Sequence, residues 1–247
     1  MEWKIIHIDE TDSTNRWLQQ HGDGSFCVNA DLHKKNRPLC VVADYQTAGR
    51  GCGTNSWESE RGKNLTFSML IHPTGIRASR QFLVSMALAN SIAKVVSRYV
   101  KDVSIKWPND IYVGDRKICG ILIENRLQGD VIKDSILGIG LNVNQLRFVS
   151  DAPNPVSLAN LTGREFDREM LLQELLAAFA EEWEDIEGVR SRYLQQLYRS
   201  KGFYRYRDSM GEFVAELVTV EEDGYLTLRN IDGYDHRYAF KEVAFVQ

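Results

Sequence analysis

Lys106-Trp107-Pro108-Asn109-Asp110, followed by Lys117-Ile118-Cys119-Gly120-Ile121-Leu122-Ile123-Glu124, is the stretch on which the fold of this chain turns. Residues 103–107 read as a strand, and Pro108 stops it because its ring removes a backbone donor. Asn109 and Asp110 are left at a strand end, where an amide and a carboxylate either face a ligand or satisfy their own backbone in a turn. The Gly114-Asp115 turn leads to a second strand over 117–124. Its first residue, Lys117, either serves a site or sits solvated at a hairpin base. A Gly129-Asp130 turn and a third strand, 135–142, complete an antiparallel meander. Gly138 and Gly140 interrupt that last strand, which marks either the close approach of a ligand or another backbone, or a β-bulge.

Working outward toward the N-terminus, 3–8 alternates as a strand, and Asp12 or Ser13 caps a short helix through Trp17. Residues 40–46 and 64–72 are further strands, the latter alternating Leu65, Phe67, Met69 and Ile71. Between them runs a loop, 47–63, with four glycines and almost no apolar residue. Loops this long in compact domains are functional or disordered. Within it Gly49-Arg50-Gly51 sets a guanidinium between residues free to take positive φ, so it is either an anion cradle or a surface turn.

Toward the C-terminus, apolar residues recur at helical spacing over 78–100. Asp167 caps a helix carrying Leu171, Leu172, Leu175, Phe179 and Trp183, and a shorter helix passes through Tyr193 and Leu197. After Gly202 the pattern changes to short strands, 212–221, 225–230 and 237–246, joined by the hairpin dipeptides Asp223-Gly224 and Asp232-Gly233. The expected division is therefore 1–201 and 202–247.

Bulk properties exclude several classes. At 247 residues, 43% hydrophobic and 26% charged, the chain can bury real cores but has no apolar run of bilayer length. Its first ten residues lack the basic head and long apolar region of a signal peptide, so a cytoplasmic location is expected. Cys27, Cys40, Cys52 and Cys119 are scattered, and His7, His21, His33, His72 and His236 show no ligand spacing. Neither a disulfide framework nor a transition-metal site is expected. A formal net charge of −4 gives no general attraction to nucleic acid, so small molecules or proteins are the expected partners.

Taken together and in this order, the segments resemble the biotin protein ligase family over almost the whole chain. Ser13-Thr14-Asn15 is similar to that family's first motif, Gln46-Thr47-Ala48-Gly49-Arg50-Gly51 through Trp57 to its glycine-rich ligand loop, and 106–110 with 117–122 to its central signature. Gly138-Ile139-Gly140-Leu141-Asn142 completes the set. The resemblance implies an α+β fold: a mixed, largely antiparallel sheet backed by helices, of class II synthetase type, then a small C-terminal SH3-like β-barrel.

It also implies the chemistry. Biotin is activated with ATP and magnesium to biotinyl-5'-AMP, then passed to a lysine of a biotin carboxyl carrier domain. Biotin would contact Ser13, Thr14, Asn15, Gln46, Gly49, Arg50, Gly51, Lys117, Gly120, Gly138 and Gly140. Trp57, Lys106, Asn109 and Asn142 would hold the nucleotide, and Asp110 would approach magnesium. Arg50 and Lys117 would bring two anions together in a water-poor site, with Asp110 helping to take the proton of the attacking lysine. A homodimer through an exposed sheet edge is a further implication. The rival readings are a lipoate protein ligase and a catalytically impaired biotin-binding protein.

The chain departs from the family after Gly51. Where relatives continue with Arg or Gln, another basic residue and then Gly, it reads Cys52-Gly53-Thr54-Asn55-Ser56-Trp57. Losing a charge-assisted hydrogen bond to phosphate costs on the order of 1.5 to 3 kcal/mol, so the adenylate is expected to leak faster than from the variant Cys52→Arg. With the first motif at Ser13, no helix-turn-helix domain is expected before it, the monofunctional type is implied, and operator binding is not expected.

Overall fold

The computed structural model describes residues 1–21, 38–53, 55–150 and 152–246. Cys27, His33 and Thr54 lie outside the described residues. The chain begins β1 (Lys4–Thr11), α1 (Thr14–His21), β2 (Leu39–Gln46) and β3 (Leu65–Ile71), and continues through a single 3-10 turn, Ala78–Arg80, to α2 (Phe82–Val96). A meander follows: β4 (Val103–Lys106), β5 (Asp110–Val113), β6 (Arg116–Gln128) and β7 (Val131–Leu141). Three helices, α3 (Leu158–Thr162), α4 (Arg168–Glu184) and α5 (Val189–Gln195), lead to β8 (Phe203–Asp208), β9 (Gly211–Val220), β10 (Leu226–Asn230), β11 (Asp235–Tyr238) and β12 (Ala244–Phe245).

Strands β1 to β7 form one sheet in the order β1-β2-β3-β7-β6-β5-β4. Only the β1–β2 pair is parallel, so the sheet is mixed and largely antiparallel as expected. Period-2 alternation sends Leu65, Phe67, Met69 and Ile71 of β3 to the rear face, into the main core with α2 and α4. On the opposite face α1 packs through Leu18 against Val41 and Leu70. All seven residues of β3 are buried because both its faces are covered.

Helix α2 is shorter than its 78–100 pattern, and twelve of its fifteen residues are buried. It is a central helix rather than a one-sided surface helix, with the sheet on one side and α4 and α5 on the other. The Asp167 cap forms as expected: its carboxylate accepts from the Glu169 and Met170 backbone N–H groups at 2.8 and 3.2 Å.

Strands β8 to β12 make a second, antiparallel sheet ordered β11-β10-β9-β8-β12. No ladder joins β11 to β12 among the described residues, which corrects the expected barrel to an open five-stranded sheet. Edge strands of four and two residues offer too few backbone groups to close the ring. This sheet shares the main core through Tyr206, Ala215, Leu226 and Leu228, and the Trp107 indole N–H donates to the Gly224 carbonyl at 3.0 Å. No helix among the described residues is long and apolar enough to cross a membrane.

Candidate active site

Strand register builds the site. On the front face of the large sheet one row of paired residues runs Ala43, Thr66, Gly140, Gly120, Asp110, Lys106 across six strands. The next row is Val41, Ser68, Gly138, Leu122. Three glycines on two neighbouring strands remove the side chains that would fill this face, and a trough results. The indole of Trp57 lies along it. A Cβ on Gly140 would collide with that ring, one on Gly120 would come within 2.9 Å of it, and one on Gly138 would strike the Asn15 amide. Close approach does occur at these glycines, by the Trp57 and Asn15 side chains, and the bulge reading fails at Gly138 and Gly140, where the β7 register is unbroken.

A bulge does occur, in β6. Ile111 pairs with Cys119 while Tyr112 pairs with Lys117, leaving Ile118 as the extra residue. In regular alternation Lys117, three positions from Gly120, would point to the opposite face. The inserted residue turns it to the front, where its side chain lies 3.3 Å from the position of a Gly120 Cβ. Its ammonium meets Asp110 Oδ1 at 2.6 Å and sits 5.5 Å from the centre of the Trp57 ring.

At the other end of the trough lies a neutral network. The Gln46 side-chain oxygen accepts from the Thr14 backbone N–H at 2.8 Å and from its hydroxyl at 3.1 Å. The Ser68 hydroxyl contacts the Thr14 hydroxyl at 2.7 Å and the Asn15 side-chain oxygen at 2.6 Å. Asn15 in turn donates to Glu124 at 2.7 Å, and Glu124 pairs with Arg50 at 3.2 Å. Ser13, Thr14 and Asn15 are buried because they start α1 beneath this network. Arg50 is set by a small hairpin: Gly49 accepts from the Trp57 N–H at 3.0 Å, Gly51 donates to Asn55 at 2.7 Å, and Arg50 bridges Ser56.

The cleft holds about 470 Å³ of empty space, its open mouth included. Ser13, Thr14, Asn15, Gln46, Arg50, Gly51, Trp57, Asn109, Lys117, Gly120, Gly138 and Gly140 all line it. Asp110 touches it through Lys117, and Gly49 stands behind Trp57, whose carbonyl crowds its Cβ position. Two further residues expected at the site likewise lie outside its lining. Lys106 turns its ammonium to the Tyr112 hydroxyl at 2.9 Å and to the Phe245 ring. Asn142 is buried beside the site, donating to the Val156 carbonyl at 3.1 Å. Its side-chain oxygen and the Trp57 indole N–H are buried without a protein partner, two groups that a ligand could satisfy.

Ser68, Glu124 and Leu122 were missed from sequence. Ser68 could have been found, since with Thr66 it is a polar pair inside an otherwise apolar strand. Cys52 lines the cleft and accepts from the Asn109 amide at 3.0 Å. Burial and the nearby Asp110 charge raise its thiol pKa above the usual value, against the opposing pull of Lys117, Asn109 and Lys241. It is therefore a poor thiolate.

A trough with a hydrogen-bonding network at one end and two cations, Arg50 and Lys117, along it suits a long molecule that is polar at one tip and anionic at the other. Comparison with known proteins agrees, for residues 11–142 match the Biotin/lipoate A/B protein ligase family. The chain belongs to that family. A bifunctional ligase/repressor BirA of Bacillus spizizenii is 28% identical over 221 residues, covering 85% of this chain and 67% of the relative. A biotin–[acetyl-CoA-carboxylase] ligase of Paracoccus denitrificans is 28% identical over 206 residues, covering 78% of this chain and 85% of its own. The solved biotin protein ligase of Aquifex aeolicus, in complex with biotin and ATP, shares the fold at a TM-score of 0.75 and 24% identity, with 98% of each chain covered. Within the family match fall all the site residues named here, Ser13 to Asn142.

Proposed function

We propose that this member of the family is a biotin protein ligase, which joins biotin to ATP as biotinyl-5'-AMP and transfers the biotinyl group to a carrier lysine. The observation that carries this reading is the glycine-floored trough with Gln46, Thr14 and Asn15 at one end and Arg50 and Lys117 beside it. The neutral network supplies the paired donors and acceptors that a cyclic urea needs, and the trough takes the apolar chain.

In the first step the biotin carboxylate attacks the α-phosphorus of magnesium-bound ATP and pyrophosphate leaves. Both reactants are anionic, so Arg50 and Lys117 hold them against their mutual repulsion in a site of low dielectric. Among the described residues no three potential ligands cluster for a metal. Asp110 would be a single carboxylate partner for a magnesium ion carried on the nucleotide phosphates, where the ion would offset phosphate charge. In the second step the carrier amine attacks the acyl carbonyl and AMP departs, and Asp110 receives the amine proton. Trp57 covers the adenylate, and the loop 49–57 keeps water from it. Asn142 and Asn109 hold the nucleotide, and Lys106 adds positive potential from the row's far end.

The finer parts of the reading are a carboxylase carrier domain as acceptor, a cytoplasmic location, no specific DNA binding, and a homodimer through an open sheet edge such as β1. Residues 1–201 form the catalytic unit and 202–247 a supporting sheet, a division supported by the change of strand order at β8. Incubation with ATP, magnesium, biotin and a carrier domain should add one biotinyl group to the carrier lysine by mass spectrometry. An unmodified carrier beside one modified with lipoate would transfer the reading to the family's other substrate.

A further inference from the structure

The two cations that line the cleft are already paired: Arg50 with Glu124 at 3.2 Å and Lys117 with Asp110 at 2.6 Å. Each faces one carboxylate of the same site, and a nucleotide brings several negative charges more. A third cation stands beside the ligand loop, next to Gly53. Lys241 lies in the turn between β11 and β12, and its ammonium occupies the space where a Cβ on Gly53 would be. It acts on the Cys52 thiol together with Lys117, and Cys52 lines the cleft.

No carboxylate among the described residues pairs with Lys241. Its ammonium lies 5.7 Å from the centroid of the Phe240 ring. Its backbone is one of three non-glycine positions with positive φ among the described residues, at 71°, a conformation that costs free energy and persists only where the surroundings impose it. Those surroundings are anchored: Phe240 packs edge-on against Trp107 at 6.5 Å, and the Ala239 N–H donates to the Glu242 carboxylate at 2.6 Å. Gly53, at φ 69°, lets the ligand loop turn directly beneath the ammonium.

We infer that Lys241, supplied by the C-terminal sheet, is a nucleotide-phosphate contact of the cleft, providing the free positive charge that the loop residues Cys52 and Gly53 do not carry. This rests on the ATP-dependent reading of the site. The small sheet then contributes a side chain to the reaction and is more than a support.

The test compares Lys241→Met, Lys241→Arg and the double variant Lys241→Met with Cys52→Arg in the full chain. Biotin-dependent pyrophosphate exchange and the calorimetric affinity for a non-hydrolysable ATP analogue are both measured. Lys241→Met should raise the KM for ATP and weaken the analogue about tenfold, with kcat at saturating ATP and the KM for biotin within about twofold of the parent. Lys241→Arg should stay near the parent, and Cys52→Arg should restore most of the loss by returning a charge to the loop. An ATP KM within about twofold of the parent in Lys241→Met, or equal impairment in Lys241→Met and Lys241→Arg, overturns the inference. Absence of exchange in the parent, with the analogue still weakened by Lys241→Met, would overturn the biotin-activation reading and leave the phosphate contact standing.

Discussion

The two faces of the seven-stranded sheet are made by the same strands and do opposite things. Behind β3, β6 and β7, Phe67, Met69, Ile121, Leu137, Ile139 and Leu141 pack against α2 and α4 without gaps. In front, residues one position away in the same strands are Thr66, Ser68, Gly120, Gly138 and Gly140, and the face is hollow. A side-chain period of two lets one strand serve stability and binding independently. The rear face holds the strands rigid enough for a front face with almost no side chains of its own.

This division makes separable predictions. Phe67→Ala, on the rear face, should cost about 3 to 5 kcal/mol in denaturant unfolding, while the folded fraction keeps its KM for biotin. A raised biotin KM in the folded protein would show that the faces are coupled. Lys117→Met, on the front, should lower activation about 10²- to 10³-fold in single-turnover kinetics and move the Tm by only a few degrees, because a half-exposed cation acting on transition-state charge is lost without opening the core. Gly140→Ala should have the smallest effect of the three. Its Cβ collides with the Trp57 ring, which can move only by leaving the trough, and about a tenfold loss of kcat/KM with an altered tryptophan emission is expected. Unchanged emission would mean that Trp57 does not lie on the glycines in solution.

How much of this was legible in the sequence follows from the same contrast. Alternation in β3, the Asp167 cap and the hairpin dipeptides before β10 and β11 are local signals, and they were read correctly. The glycines of β7 were legible as a weakness in a strand, which only a neighbour in close approach could justify. Strands β5 and β8 and helix α3 were not read, since four to six residues carry too little periodicity to stand out. The bulge at Ile118 that turns Lys117 to the front depends on pairing with a strand that was itself unread. Glu124 and Lys241 were hidden for another reason. Each acts on a loop distant in sequence, and nothing near it distinguishes it from a solvated charge.

The C-terminal sheet shows the same lesson on a larger scale. Its composition announced short strands and tight turns; the turns form, with Gly224 and Gly233 at φ 98° and 86°, but the strand expected over 237–246 divides into β11 and β12 about the Lys241 turn. That its last turn reaches the ligand loop was visible only once Trp107 and Phe240 had brought the two sheets together.

The central claim is that the trough activates biotin with ATP. Exchange of labelled pyrophosphate into ATP, measured with magnesium and either biotin, lipoate or neither acid, tests it most directly. The account predicts exchange with biotin alone; exchange with lipoate in its place, or none with biotin, would contradict it.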